Sequence, residues 1–156
     1  MRSIAEWLKE YGESHQNKTN KLIHWICVPA IFFSIYGLIY SIPFTFVKGS
    51  SSSYLNYGSL TMLFVLIFYF RLSFNLAIGM LLYMVLVIWG TVQLDKITTI
   101  DFWLISLIIF VVAWIGQFIG HHIEGKKPSF FKDLQFLLIG PAWVIWFVYR
   151  KLGIKF

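Results

Sequence analysis

The sequence predicts an all-α polytopic membrane protein. The expected fold is a helical bundle of four transmembrane helices, with an N-terminal amphipathic helix and a short C-terminal span or re-entrant hairpin. Of the 156 residues, 58% are hydrophobic and only 13% are charged, about half the charged fraction of an average globular domain. Four runs carry no charged residue, and each approaches or exceeds the roughly 20 residues that cross a bilayer: 22–47, 49–70, 72–94 and 102–120.

The first predicted element is an amphipathic helix over residues 3–15. Ser3 and Glu6 have the spacing of a capping box, in which each residue satisfies a backbone N–H of the first turn. Apolar residues follow at helical spacing and form one face: Ile4, Trp7, Leu8 and Tyr11. This pattern is typical of a helix that lies on a membrane surface or against the spans. His15, four residues after Tyr11, falls on the same face.

The rest of the chain is predicted to form a single membrane-embedded domain together with this helix, over residues 1–156. Its four spans are expected at 20–47, 54–70, 72–94 and 102–122. The last apolar segment, 134–149, is too short for a typical span and contains Gly140-Pro141 near its middle. It is compatible with either a short span or a re-entrant hairpin.

The positive charges predict the orientation of the spans. With the N-terminus in the cytoplasm, Lys48 and Lys96 are the only Lys or Arg residues flanking the four spans that lie outside, as the positive-inside rule requires. The inner set is Arg2, Lys9, Lys18, Lys21, Arg71, Lys126, Lys127 and Lys132. A hairpin would bring Arg150, Lys151 and Lys155 to the same inner side.

The same charge distribution bears on partners and location. The basic residues flank apolar segments and do not form a solvated stripe, so the lipid bilayer is the expected partner and nucleic acid is not. The sequence shows no C-terminal retention signal of the Lys-Asp-Glu-Leu kind. We therefore expect a bacterial inner membrane, or the endoplasmic reticulum membrane in a eukaryote.

The four histidines of the chain are unevenly placed. In the predicted topology, His15 and His24 flank the cytoplasmic start of the first span, and His121 and His122 stand at the cytoplasmic end of the fourth. Imidazole is the commonest metal ligand among side chains, and ionisable groups at membrane depth are usually functional. We therefore predict that the four histidines share a metal site on the cytoplasmic side.

Glu124 lies three residues after His121, on the same helical face. It could ligate the metal, orient His121 through a hydrogen bond, or form an interface ion pair with Lys126 or Lys127. Adjacent histidines point about 100° apart on a helix. His121 and His122 therefore bind one ion together only where the helix bends or frays.

Two motifs carry a resemblance to a known family. Residues 11–15 read Tyr-Gly-Glu-Ser-His and precede His24, and residues 117–124 read Gln-Phe-Ile-Gly-His-His-Ile-Glu. In these motifs, their order and the hydropathy of the chain, the sequence resembles the iron-dependent 2-hydroxy fatty acid dioxygenases of fatty acid α-oxidation. The studied fungal members of that family are endoplasmic reticulum membrane proteins.

The resemblance implies a function and a set of site residues. The cofactor would be Fe(2+), held by the histidines of the two motifs: His15, His24, His121 and His122. The substrates would be a 2-hydroxy fatty acid and O2, and the products CO2 and a fatty acid one carbon shorter. Lys126 or Lys127 could attract the substrate carboxylate, and Glu124 would support the site.

Two other classes of function remain open. A haem-binding membrane redox protein could clamp a macrocycle between histidines of two helices, although such histidines would be expected deeper in the spans. A non-catalytic scaffold or transport protein is disfavoured, because the interiors of the spans lack the charged residues and broken helices of ion pathways.

Overall fold

A computed structural model of the chain describes residues 3–44, 54–125 and 136–154, and the regular structure in these ranges is entirely helical. The helices there are α1 (Ile4–Glu13), α2 (Lys18–Tyr40), α3 (Tyr57–Leu72), α4 (Phe74–Ile97), α5 (Phe102–Glu124) and α6 (Ile139–Leu152). The predicted all-α fold is confirmed.

Three of these helices, α2, α4 and α5, are long and apolar enough to cross a membrane. The predicted count of four spans is not confirmed, because the 16 residues of α3 extend only about 24 Å, against a hydrocarbon core of about 30 Å. Large apolar side chains cover the outside of the bundle, such as Phe64, which is 71% exposed, and Val112, which is 62% exposed. Such a surface is typical of contact with lipid.

Helix α1 starts with the predicted capping box. The Ser3 hydroxyl accepts the backbone N–H of Glu6, and the Ser3 backbone N–H donates to Glu6 Oε2 at 2.7 Å. The helix ends at Glu13, two residues before the predicted boundary, because the chain turns at Ser14. Its apolar face packs on the start of α6, in a cluster of Leu8, Tyr11, Phe136, Ile139 and Trp143. Helix α1 is therefore held against the bundle.

In the described part of the C-terminal segment, residues Ile139–Leu152 make one continuous helix, without the break at Gly140-Pro141 that the predicted hairpin requires. Pro141 lies in its first turn, where the missing N–H would have no intrahelical partner in any case. The 14 residues of this helix reach about 21 Å, against a hydrocarbon core of about 30 Å, so the predicted short span is not confirmed. Helix α6 packs against α1 and α4, and the Tyr149 hydroxyl donates to the Asn75 carbonyl at 2.8 Å.

The most extensive helix pair is α2 with α5, and the two helices run antiparallel. Gly116 and Gly120 allow the close approach, because a Cβ at Gly116 would lie 2.6 Å from Cys27 Sγ, and one at Gly120 3.1 Å from His24 Cε1. Two glycines four residues apart are typical of tight contacts between membrane helices. The pairing places the start of α2 beside the end of α5.

Candidate metal centre

Three histidines meet where the start of α2 touches the end of α5. His15 lies in the connection between α1 and α2, His24 in the second turn of α2, and His121 in the last turn of α5. Their ring centroids are separated by 4.2 Å (His15–His24), 4.9 Å (His24–His121) and 5.4 Å (His15–His121). Each ring offers a nitrogen within 4.8 Å of those of the other two. The predicted convergence therefore holds for these three residues.

Backbone hydrogen bonds determine which nitrogen of two rings can coordinate. His15 Nδ1 lies 2.6 Å from the Tyr11 carbonyl oxygen, and His24 Nδ1 lies 3.0 Å from that of Asn20. A carbonyl oxygen only accepts, so each Nδ1 carries the proton and each Nε2 carries the lone pair. Histidines that bind metals usually show this arrangement, with the second ring nitrogen bonded to a carbonyl or carboxylate.

Burial makes the unused lone pair of His24 costly in the absence of a ligand. His24 is 0% exposed, and its Nε2 has no hydrogen-bond partner within the described ranges. Leaving such an atom unsatisfied costs about 1–3 kcal/mol, which coordination of a cation would offset. The buried imidazoles suit iron, zinc or copper, whereas calcium and magnesium prefer oxygen ligands. The donor set therefore fits a first-row transition metal.

Glu124 uses both carboxylate oxygens to hold the connection between α1 and α2. Oε1 accepts the backbone N–H of Gln16 at 2.8 Å, and Oε2 accepts that of Asn17 at 2.9 Å and the Asn20 side-chain amide at 2.9 Å. Hydrogen bonds to a charged acceptor are among the strong ones. Since His15 directly precedes Gln16, these bonds fix the segment that carries His15 onto the end of α5.

Asn20 completes this link and was missed as a site residue in the sequence. It is 0% exposed, and its amide nitrogen also donates to the Ser14 carbonyl at 3.1 Å. Its own backbone carbonyl is the acceptor for His24 Nδ1. A signal was present, because a polar residue four positions before His24 shares the face of that histidine on an apolar helix.

Aromatic side chains from two other helices cover the histidines. The Tyr11 ring of α1 stacks on His15, with centroids 4.2 Å apart and planes inclined by 14°. The Trp143 ring of α6 lies 5.5 Å from the same imidazole. Helices α1 and α6 thus supply an apolar shell, which restricts solvent access to the cluster.

Of the other predicted site residues, the structure describes His122. His122 is exposed and stands outside the group of three, because α5 stays helical through Glu124 and neighbouring residues on a helix point about 100° apart. Gly125 ends α5 in a left-handed conformation, with φ of 72°. Lys126 and Lys127 follow it and lie outside the described residues.

Comparisons with known proteins bear on this site. The family model for 2-hydroxy-palmitic acid dioxygenase Mpo1-like proteins matches residues 1–152. The chain is 28% identical over 155 residues to a Saccharomyces cerevisiae protein named 2-hydroxy-palmitic acid dioxygenase MPO1, an alignment that covers 98% of this chain and 82% of the yeast protein. No solved structure matches. The family match includes all three clustered histidines, confirms the resemblance seen in the motifs, and shows that the chain belongs to the Mpo1-like family.

Proposed function

We propose that this chain is an Fe(2+)-dependent dioxygenase that cleaves 2-hydroxy fatty acids with O2. The products are CO2 and a fatty acid one carbon shorter, as in α-oxidation. The single observation that carries the proposal is the buried cluster of His15, His24 and His121. The names of the family and of the yeast relative support the substrate class.

The proposed reaction balances with O2 as its sole oxidant. R–CH(OH)–COOH and O2 give R–COOH, CO2 and H2O, with cleavage of the bond between C1 and C2. C2 is oxidised to the new carboxyl group, and C1 leaves as CO2. These changes release four electrons, the number that O2 accepts on full reduction. The chemistry therefore requires no reductase partner.

The residues in and around the cluster would have different roles in the reaction. His15, His24 and His121 would hold the ion, which would supply a chelation point for the substrate and electrons for the activation of O2. Three protein ligands leave coordination positions open, as oxygenase chemistry requires. Glu124 keeps the segment of His15 in place, and Lys126 or Lys127 is the proposed partner of the substrate carboxylate.

The position of the cluster suits an amphiphilic substrate. The histidines stand at one end of α2 and α5, both long enough to cross a membrane, so they lie near a membrane interface. The carboxyl and hydroxyl groups of a 2-hydroxy acid rest at that depth while its tail extends among the helices. We propose that this interface is the cytoplasmic one.

Metal content and product analysis test the proposal together. We expect the protein purified under mild conditions to carry iron and to convert 2-hydroxypalmitate into pentadecanoate and CO2 in air but not under nitrogen. The histidine rings lie too close together for a macrocycle to fit between them, so no Soret band is expected. A Soret band would favour the haem alternative, and unchanged substrate in the iron-loaded protein would contradict the proposal.

Replacing Glu124 with glutamine is expected to lower iron affinity or turnover roughly 10 to 100-fold, the usual effect of losing a partner that orients a ligand. Glutamine places an NH2 group where one oxygen accepts N–H donors, and it removes the charge that strengthens the remaining bonds. Iron titration and steady-state turnover measure the effect. The matched control is Glu13→Gln at an exposed site in α1, which should change neither value. Equal results for both variants would mean that the Glu124 carboxylate has no supporting role.

A further inference from the structure

Two cavities lie between the helices, and the first begins one helical turn from the histidines. This near cavity is lined by Tyr11, Val28, Gln117 and Leu137, among others. Val28 is four residues after His24 on α2, and Gln117 four residues before His121 on α5, so both share the faces of those histidines. Tyr11, whose ring stacks on His15, forms part of the same wall.

The second, or far, cavity continues away from the histidines. Leu137 lines both cavities. Along α2, the lining passes from Val28 and Ile31 in the near cavity to Ile35 and Ile39 in the far one, a spacing of three to four residues that forms a single stripe on one helix face. Gly58 of α3 lines the far cavity and packs against Tyr36, since a Cβ at Gly58 would lie 2.8 Å from the Tyr36 ring.

The length of the α2 stripe and its apolar lining match an extended acyl chain. From Val28 to Ile39 the stripe covers about 16 Å at 1.5 Å per residue, and one leaflet of a hydrocarbon core of about 30 Å offers about 15 Å to each acyl tail. The far cavity is lined almost entirely by apolar side chains, including Met62 and Val65 of α3. Such a surface accepts methylene groups and offers few partners to a polar ligand.

The near cavity carries a polar group at the end closest to the histidines. Gln117 is only 5% exposed, and its Nε2 has no hydrogen-bond partner in the part of the chain that the structure describes. A buried amide donor without an acceptor is costly. A carboxylate or hydroxyl oxygen in the near cavity would satisfy it.

We infer that the two cavities form the acyl-chain site of the enzyme, with the Gln117 amide as the donor that holds the substrate head and the far cavity as the determinant of chain length. The inference rests on the proposed function. The head of a 2-hydroxy acid bonded to Gln117 lies within one helical turn of the histidines, while its tail follows the α2 stripe past Leu137 towards Gly58.

A substitution that narrows the far cavity tests whether this cavity determines the preferred chain length of the substrate. Val65→Trp fills part of this space, and we expect it to lower kcat/KM for 2-hydroxypalmitate by about 10-fold or more, with little effect on 2-hydroxydecanoate. The matched control is Val111→Trp on the outer face of α5, where Val111 is 47% exposed; it should leave the preference unchanged. The same chain-length profile for both variants, in a protein that turns over 2-hydroxy acids, would overturn the inference and leave the proposed function intact.

Replacing Gln117 with leucine tests the head of the site. We expect the KM of long and short 2-hydroxy acids to rise by the same factor, roughly 10-fold for one lost hydrogen bond to a charged group, with unchanged iron content. Gln117→Asn should recover part of the loss, because it restores a shorter amide donor. An unchanged KM, or a loss of iron equal to that of a histidine variant, would contradict the assigned role.

Photolabelling tests where the acyl chain binds and does not depend on enzymatic turnover. A 2-hydroxy fatty acid with a diazirine near its methyl end should label the α3 segment around Met62 and Val65, and Val65→Trp should reduce this labelling. Labels spread over the lipid-facing surface, with no competition by 2-hydroxypalmitate, would overturn the acyl-chain site. Failure of the proposed function would instead appear as specific labelling of a protein that converts no 2-hydroxy acid.

Discussion

Replacing His24 with alanine is expected to remove bound iron and nearly all turnover of 2-hydroxypalmitate. His24 is the fully buried member of the cluster, and its Nε2 has no hydrogen-bond partner in the described ranges. Loss of a direct ligand should exceed the roughly 10 to 100-fold effect of losing a group that only orients one. Iron per chain and initial rate of product formation measure the result. His15→Ala and His121→Ala should behave alike.

The exposed neighbour His122 provides the matched control. His122→Ala removes the same side chain from the same turn of α5, but outside the cluster, so iron content and turnover should stay near those of the parent protein. Size-exclusion chromatography and circular dichroism should show intact helices for every variant, because the α2–α5 contact extends far beyond the site. Full iron and activity in His24→Ala would refute the cluster as the metal centre, and a loss confined to His122→Ala would move the site to that residue.

The convergence of His15, His24 and His121 could be predicted because it follows from few physical constraints. Charge-free runs of membrane-crossing length indicate where spans begin and end, and the Lys and Arg distribution assigns those ends to sides. In the predicted four-span topology, they bring the start of the first span and the end of the fourth to one face. The residues that meet within that face depend on helix rotation and packing.

His122 and Glu124 show how helix rotation and packing decide which residues meet at the site. Choosing between two adjacent histidines requires the rotation of α5 about its axis, and that is fixed by its contact with α2 rather than by a local signal. The Glu124 carboxylate binds two backbone N–H groups of residues 16 and 17. Almost every residue has a backbone N–H group, whatever its side chain. The residue types at positions 16 and 17 therefore do not indicate that Glu124 binds them. The sequence predicts for Glu124 a role as metal ligand, as the group that orients His121, or as ion-pair partner of Lys126 or Lys127, and gives no sign of these backbone donors.

The C-terminal segment shows that local sequence patterns do not always predict where a helix begins. Gly140-Pro141 indicated a break in the middle of residues 134–149, since proline disrupts a helix interior. The helix instead begins at Ile139, which puts Pro141 in a turn that tolerates it. Its start is determined by packing, because Ile139 and Trp143 join the cluster with Leu8 and Tyr11 of α1. Tertiary contact thus decided a boundary that local propensity placed elsewhere.

Adding a single methyl group at Gly120 is expected to disable the site. A Cβ there would overlap the side-chain oxygen of Asn20 and lie 3.1 and 3.2 Å from His24 Cε1 and Nδ1. Asn20 and His24 are both 0% exposed and bonded in place, so α5 must move away from α2 and carry His121 with it. A misplacement of about 1 Å can cost on the order of 100-fold in rate, and overpacking costs about 1–3 kcal/mol of stability. Iron content, turnover and Tm of Gly120→Ala measure these effects.

The control for this prediction distinguishes the effect of alanine on helix propensity from the effect of the added methyl group on the contact between helices. Alanine is a better helix former than glycine by up to about 1 kcal/mol, so Gly→Ala in an uncrowded helix should be neutral or stabilising. Gly90 of α4 is such a position, with nothing within 4 Å of an added Cβ, and Gly90→Ala should keep full iron content and activity. If Gly120→Ala matches Gly90→Ala in iron content, rate and Tm, then the close approach of α5 to His24 does not position the cluster. A loss at Gly120 alone would tie the geometry of the three histidines to the glycine contact between α2 and α5.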